Sequence, residues 1–178
     1  MFFKRHIKQG EEIGHVTLQM LSSATLTTKF NTVADFQPTE EFFIDGYVAG
    51  FVLNYVSLTI VFGLGAQNWS TTKKGECIKS ALSVIDPFGC LMKILIGDMH
   101  VDKELQEKGS HDATTAIGIA FQKLKQDDPD PKYQEAKEIA ADLQKYNKGS
   151  TYQDNLASAA VLVTLRQYIQ KRWDEDAT

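Results

Sequence analysis

Between Lys29 and Lys73 the chain carries no Lys or Arg, and from Gly46 to Ala66 it carries no charged residue of either sign. Ionisable side chains are the ones that water holds at a protein surface, so a stretch without them is committed to burial, in a core or in a bilayer. How that stretch is accommodated decides the architecture.

Pro38-Thr39-Glu40-Glu41 opens it with acidic residues where a helix N-terminus favours them, and Gly63-Leu64-Gly65 closes it, which predicts one long apolar helix over 39–63. Two environments would take such a helix. The 21 residues from Gly46 to Ala66 reach the length of a membrane span, about 20 apolar residues, and Gly46-x-x-x-Gly50 matches a packing motif of membrane helices. No Lys or Arg anchors either end, however, and Asn54, Gly63 and Gly65 shorten the run that hydrocarbon would accept. A buried central helix is therefore the preferred reading, with membrane contact through 42–66 as the third-ranked alternative. Gly46, Gly50, Asn54 and Ser57 recur at i, i+4, i+8 and i+11, a small and partly polar stripe against which a second helix can lie close. These four residues are the expected interface, and a contact with a second copy is preferred to an internal one.

The rest of the chain is punctuated as helices. Asp130-Pro131 is a capping carboxylate followed by proline at the first helical position, with Tyr133, Ala136, Ile139, Ala140, Leu143 and Tyr146 on one stripe and Gly149 as the stop. Ser110 or Asp112 is expected to cap a preceding helix with Ala113, Ile117, Ala120, Phe121 and Leu124 inward, joined to the next by a short Asp/Pro link. Asp154 opens a last helix, apolar nearly all round from Leu156 to Leu165 and amphipathic through Ile169 and Trp173. Asp86-Pro87 starts Phe88 to Ile96, Ser70 to Ile85 carries Cys77, Ile78, Ala81, Leu82 and Ile85 on one face, and Glu12 to Thr28 is a further helix. The expected fold is a single all-α domain, 1–178, a bundle of about seven helices around 39–63, with 1–10 and 174–178 flexible.

Composition agrees with that fold class and narrows function. A chain of 178 residues with 43% hydrophobic and 24% charged residues can build a core without disulfides or a structural metal. Its net charge of −4 argues against nucleic acid, which needs a basic face to neutralise phosphates. The basic start, Met1 to Lys8, runs into Gly10-Glu11-Glu12 where a secretory signal needs an apolar run, so export by that route is not expected. Cys77 and Cys90 have neither C-x-x-C nor zinc spacing and read as small core residues in a reducing cytoplasm.

Candidate chemistry is sparse. Glu12-x-x-His15 has the i, i+3 spacing of dimetal bundles but lacks the second such motif that those sites require. Asp98, His100 and Asp102, with His111 beyond, form the densest set of metal-ligand types. Read as a calcium loop, the segment puts Lys103 at the required glycine and Gly109 at the required Glu, which excludes an EF-hand. The turn Asp98-x-x-Val101-Asp102-x-Glu104 resembles the acidic turns of tellurite-resistance-type helical domains over these few residues, with Met99 at their glycine position, and implies no function here. Asp45 is the one carboxylate near the uncharged stretch and is expected to meet water or a backbone N–H. No Gly-x-Ser-x-Gly, phosphate loop or Cys/His signature is present. The leading expectation is a non-enzymatic cytoplasmic protein acting through protein–protein contact, as a homodimer or an accessory, chaperone-like partner. The alternative is a domain that binds a divalent metal or small ligand through the 98–112 cluster, with Glu12 and His15 as further candidate ligands.

Overall fold

Asp45 decides how the uncharged stretch is built. Its carboxylate accepts a hydrogen bond from the amide of Val48 at 3.1 Å, while its backbone is extended at φ −60°, ψ 122°. It therefore ends one helix and caps the next. In the computed structural model, which describes residues 4–25, 38–121, 131–146 and 149–174, the helix predicted over 39–63 is thus three pieces. They are α2 (Glu40–Ile44), α3 (Gly46–Leu58) and one wider π turn, Thr59–Gly63. The remaining helices are α1 (Arg5–Thr25), α4 (Thr71–Ile85), α5 (Cys90–Ile96), α6 (Lys103–Ala120), α7 (Pro131–Tyr146) and α8 (Tyr152–Asp174). Among the described residues there are eight α-helices and no strand, an all-α fold.

The chain divides into two compact units, one of segments Met1–Gln19 and Gln37–His111, the other of Met20–Phe36 and Asp112–Thr178. The first is built around α3, where Gly46 through Val52 are buried without interruption, so every face of its first two turns is covered. Tyr47, Phe51 and Tyr55 stack at i, i+4, i+8, with ring centroids 6.4 and 5.9 Å apart. Around them lie Phe43, Ile60, Cys77, Leu82, Ile85 and Leu91, all buried. Gly46–Gly63 is also the one helical stretch among the described residues long and apolar enough to cross a membrane, and 56% of it is buried by the chain itself.

In the second unit α7 packs along α8. Tyr133, Ala136 and Ala140 of α7 and Leu156, Ala159, Ala160, Val163 and Leu165 of α8 are buried in its core. A half-buried amide relay joins their ends, Asn155 donating to Gln144 at 2.8 Å and Gln144 to the Ser150 carbonyl at 3.1 Å.

Several expected boundaries move for local reasons. α1 starts at Arg5, so 5–10 are helical; Lys4 and His6 are both held by Glu76. α5 starts at Cys90, because Gly89 takes a left-handed conformation (φ 76°) after the Asp86-Pro87 turn. α6 starts at Lys103, well before Ser110, since Asp102 accepts from the amide of Leu105 at 2.9 Å and acts as the cap. α8 starts at Tyr152, where Thr151 and Asp154 exchange side-chain to backbone bonds of 3.0 and 3.1 Å, a capping box. Tyr146, expected on the inward stripe of α7, is 83% exposed at the last residue of that helix. The Asp/Pro link and Leu124, the Trp173 side chain and 175–178 fall outside the described residues.

Candidate functional site

α1 is fixed to α4 before it forms any wall of a site. Gly10 and Gly14, one helical turn apart, lie on the backbone of α4; a methyl group on Gly14 would stand 2.6 Å from the Ala81 carbonyl, and one on Gly10 would run into that of Cys77. The Ser80 hydroxyl adds a bond to the Ile7 carbonyl at 3.0 Å. At the N-terminal end Glu76 accepts from Lys4 at 2.5 Å and pairs with His6 at 2.6 Å, contacts that hold its carboxyl below the usual carboxylate range, Lys4 contributing most. His6 in turn meets the Trp69 ring edge to face at 6.3 Å, and Lys73 covers that ring at 3.7 Å.

The adjacent face of α1 presents Gln9, Glu12, Ile13, Val16 and Thr17, spaced i, i+3, i+4, i+7 and i+8. Across from them stand Tyr55 near the end of α3, Thr59 at the first position of the π turn, and Leu64. Together they enclose an open cleft of about 250 Å3. Its mouth is apolar, with Val16 half exposed. Thr17 beside it is 3% exposed, with its hydroxyl oxygen buried. Tyr55 makes a side-chain hydrogen bond with Thr59. Burial pushes the Tyr55 phenol up to about 12, so it stays protonated.

The residues singled out from the sequence have other surroundings. Gly46 and Gly50 lie under α6 of the same chain; a methyl group on Gly46 would be 2.6 Å from the Asp102 carbonyl, and one on Gly50 would overlap that of Gln106. Gly109 reciprocates from α6, its missing side chain leaving room for the Tyr47 carbonyl. Asn54 donates to the Ser110 carbonyl at 2.6 Å, and Ser57 to the Leu53 carbonyl at 2.7 Å. The expected contact with a second copy is thus corrected: the stripe is filled from within, because Gly109 allows α6 to approach it.

Asp98, His100 and His111 are exposed, Asp102 is spent on capping α6, and Glu12 and His15 are exposed on α1, with Lys8 3.9 Å from Glu12. No three His, Cys, Asp or Glu side chains come together as metal ligands among the described residues. Both thiols are buried and pushed up by desolvation, Cys90 with a further contribution from Asp86 and Glu40. Thr17 and Thr59 carry no local signal of a site, because Ser and Thr in a helix register as weak helix formers. The 9/12/13/16/17 spacing was the available signal for one wall; nothing local announces the other.

A second surface is apolar and open. Met92, Leu95 and Ile96 share a face of α5 at i, i+3, i+4, and Leu95 and Ile96 are 46% and 62% exposed. Phe88, also exposed, joins Met92 along a groove of about 240 Å3 rimmed by Lys79, Ser83 and Asp86. The Asp86 carboxylate holds the start of this element by accepting from the amides of Phe88, Gly89 and Leu91 at 2.9, 3.2 and 2.7 Å. No protein-family model, curated protein or solved structure matches the chain.

Proposed function

We propose that the chain is a non-enzymatic protein that works through protein–protein contact, using the outer face of α5. The observation that carries this reading is the exposure of Leu95 and Ile96 beside Phe88 and Met92 on a short, rigidly capped element. Exposed large aliphatic side chains grouped on one face, with polar residues around them, have the composition of an interface core and rim. The Asp86 cap and the left-handed Gly97 stop (φ 85°) leave that face little to lose in order when a partner covers it. A reducing, cytoplasmic setting belongs to the same proposal and is supported by two free, buried cysteines.

The test compares the wild type with a Leu95→Glu, Ile96→Glu double variant, whose changes fall on exposed positions and spare the core. Sedimentation equilibrium reads self-association, and crosslinking in the native cell extract reads a heterologous partner. A complex that forms with the wild type and is lost in the variant is the expected result. A wild type that stays monomeric at every concentration and traps no partner that the variant loses overturns the reading.

A further inference from the structure

We propose that the basic, tryptophan-bearing end shared by α1 and α4 is a peripheral docking surface for a bilayer of anionic lipid, held chiefly by Arg5, Lys73 and Lys74. None of these residues belongs to the α5 face, so either proposal can fail alone.

The case begins with where charge collects. The chain as a whole carries −4. α1 and α4 run in the same direction, since Gly10 lies on Cys77 and Gly14, one turn on, lies on Ala81. Their first turns therefore share one end of the first unit and bring Lys4, Arg5, Lys8, Lys73 and Lys74 to it. Two of the five are answered, Lys4 by Glu76 and Lys8 by Glu12 at 3.9 Å. The other three meet no carboxylate. Lys74 donates to the Gln67 carbonyl at 3.1 Å, Lys73 lies over the Trp69 ring, and Arg5 is exposed with no ion pair among the described residues. Neither helix has an acidic residue in its first turn to offset them. Positive charge gathered on one surface of an acidic chain and left unanswered within it is complementary to an anionic partner.

Trp69 then selects the class of partner. It is half-buried, with Lys73 over one face of its ring at 3.7 Å and His6 in an edge contact at 6.3 Å. A nucleic-acid base stacks on an open aromatic face, and here a lysine holds one. An indole partly in water and flanked by lysines suits the headgroup layer of a bilayer, where the ring and the lysine stems meet apolar surroundings while the ammonium groups meet phosphate. In the sequence Phe2 and Phe3 directly precede Lys4, the mixture of aromatic and basic residues that interfacial segments use. The negative total of the chain is repelled by the same lipid, which turns this end toward it.

The full chain is sedimented with vesicles of phosphatidylcholine alone and of phosphatidylcholine with about 30 mol% phosphatidylserine. Binding to the anionic vesicles only, lost as salt rises to about 0.5 M, is the expected result. In a Trp173→Phe background, which leaves Trp69 as the one indole, emission should shift to the blue on binding. Each neutralised cation weakens binding about fivefold, so Arg5→Gln, Lys73→Gln and Lys74→Gln together weaken it about a hundredfold. Lys145→Gln, at an exposed cation of α7, should leave it within about twofold. Circular dichroism confirms that each variant is folded, and Lys74→Gln alone carries the test at about fivefold should the triple variant not fold. Failure to sediment with the anionic vesicles at low salt, equal sedimentation with both kinds, Trp69 emission that does not move, or binding that the triple variant retains overturns the proposal. So does an equal loss with Lys145→Gln. Tighter binding to a DNA duplex than to the vesicles assigns the cations to nucleic acid and overturns it as well.

Discussion

The side-chain nitrogen of Asn54 lies 2.6 Å from the carbonyl oxygen of Ser110, and the Ser110 hydroxyl returns a bond to the Gly50 carbonyl at 3.2 Å. α3 and α6 are therefore stitched by polar bonds beside a contact where glycines let their backbones touch. Asn54→Leu removes the first of these bonds and is expected to lower stability by about 1 kcal/mol in urea unfolding, with the sedimentation behaviour of the chain unchanged.

Glycines in helices of this chain are not equivalent. Gly50→Ala drives a methyl group into the Gln106 carbonyl and should cost about 3 kcal/mol or more, read as a fall in the denaturation midpoint. Gly75, within α4, has nothing within 4 Å of where a methyl would stand. Gly75→Ala should stabilise by about 0.5–1 kcal/mol, through helix propensity alone.

Asp86 is 3% exposed, and its carboxylate meets three backbone amides that open the α5 segment. Asp86→Ala strands those donors and is expected to cost about 2 kcal/mol. Asp86→Asn keeps one acceptor oxygen and should lie between the two, a ranking that thermal unfolding at neutral pH reads directly.

Glu76 is held below its ordinary value of 4.5 by Lys4 first and His6 second. A carboxyl lowered in the folded state adds stability above its unfolded value, and that contribution fades as pH falls through the lower folded value. Glu76→Gln should thus be less stable than the wild type at neutral pH. Unfolding midpoints measured on a descending pH series should converge below 4.5, while a gap that stays constant would mean that the pair contributes no charge-dependent stability.

Burial raises both thiols, so neither Cys77 nor Cys90 presents a thiolate to solvent. A colorimetric disulfide reagent should modify the native chain slowly, at a rate set by opening, and both positions at once in denaturant. Rapid native reaction at either position would contradict the packing around it.

Local punctuation was enough to locate most helices. Ser70 caps α4 through the amide of Lys73, and Pro131 begins α7, as proline and hydroxyl residues do at helix starts whatever surrounds them. Asp45 was harder, because an acidic residue suits both the first turn of one long helix and the cap between two, and its own neighbours do not distinguish them. Gly109 was harder still. A glycine beside an acidic, histidine-bearing segment resembles a loop until Tyr47 is known to lie against it.

What the sequence by itself determined was the all-α class and the burial of the first two turns of α3, since charge, helical spacing and caps act within a few residues along the chain. Tertiary structure alone decided that Gly46, Gly50 and Asn54 face α6 of the same chain, and that Thr17 and Thr59 share a cleft. Those relationships join positions up to 60 residues apart. Local propensity has no sight of them, because it is the approach of another helix that makes a missing side chain useful or leaves a hydroxyl without water.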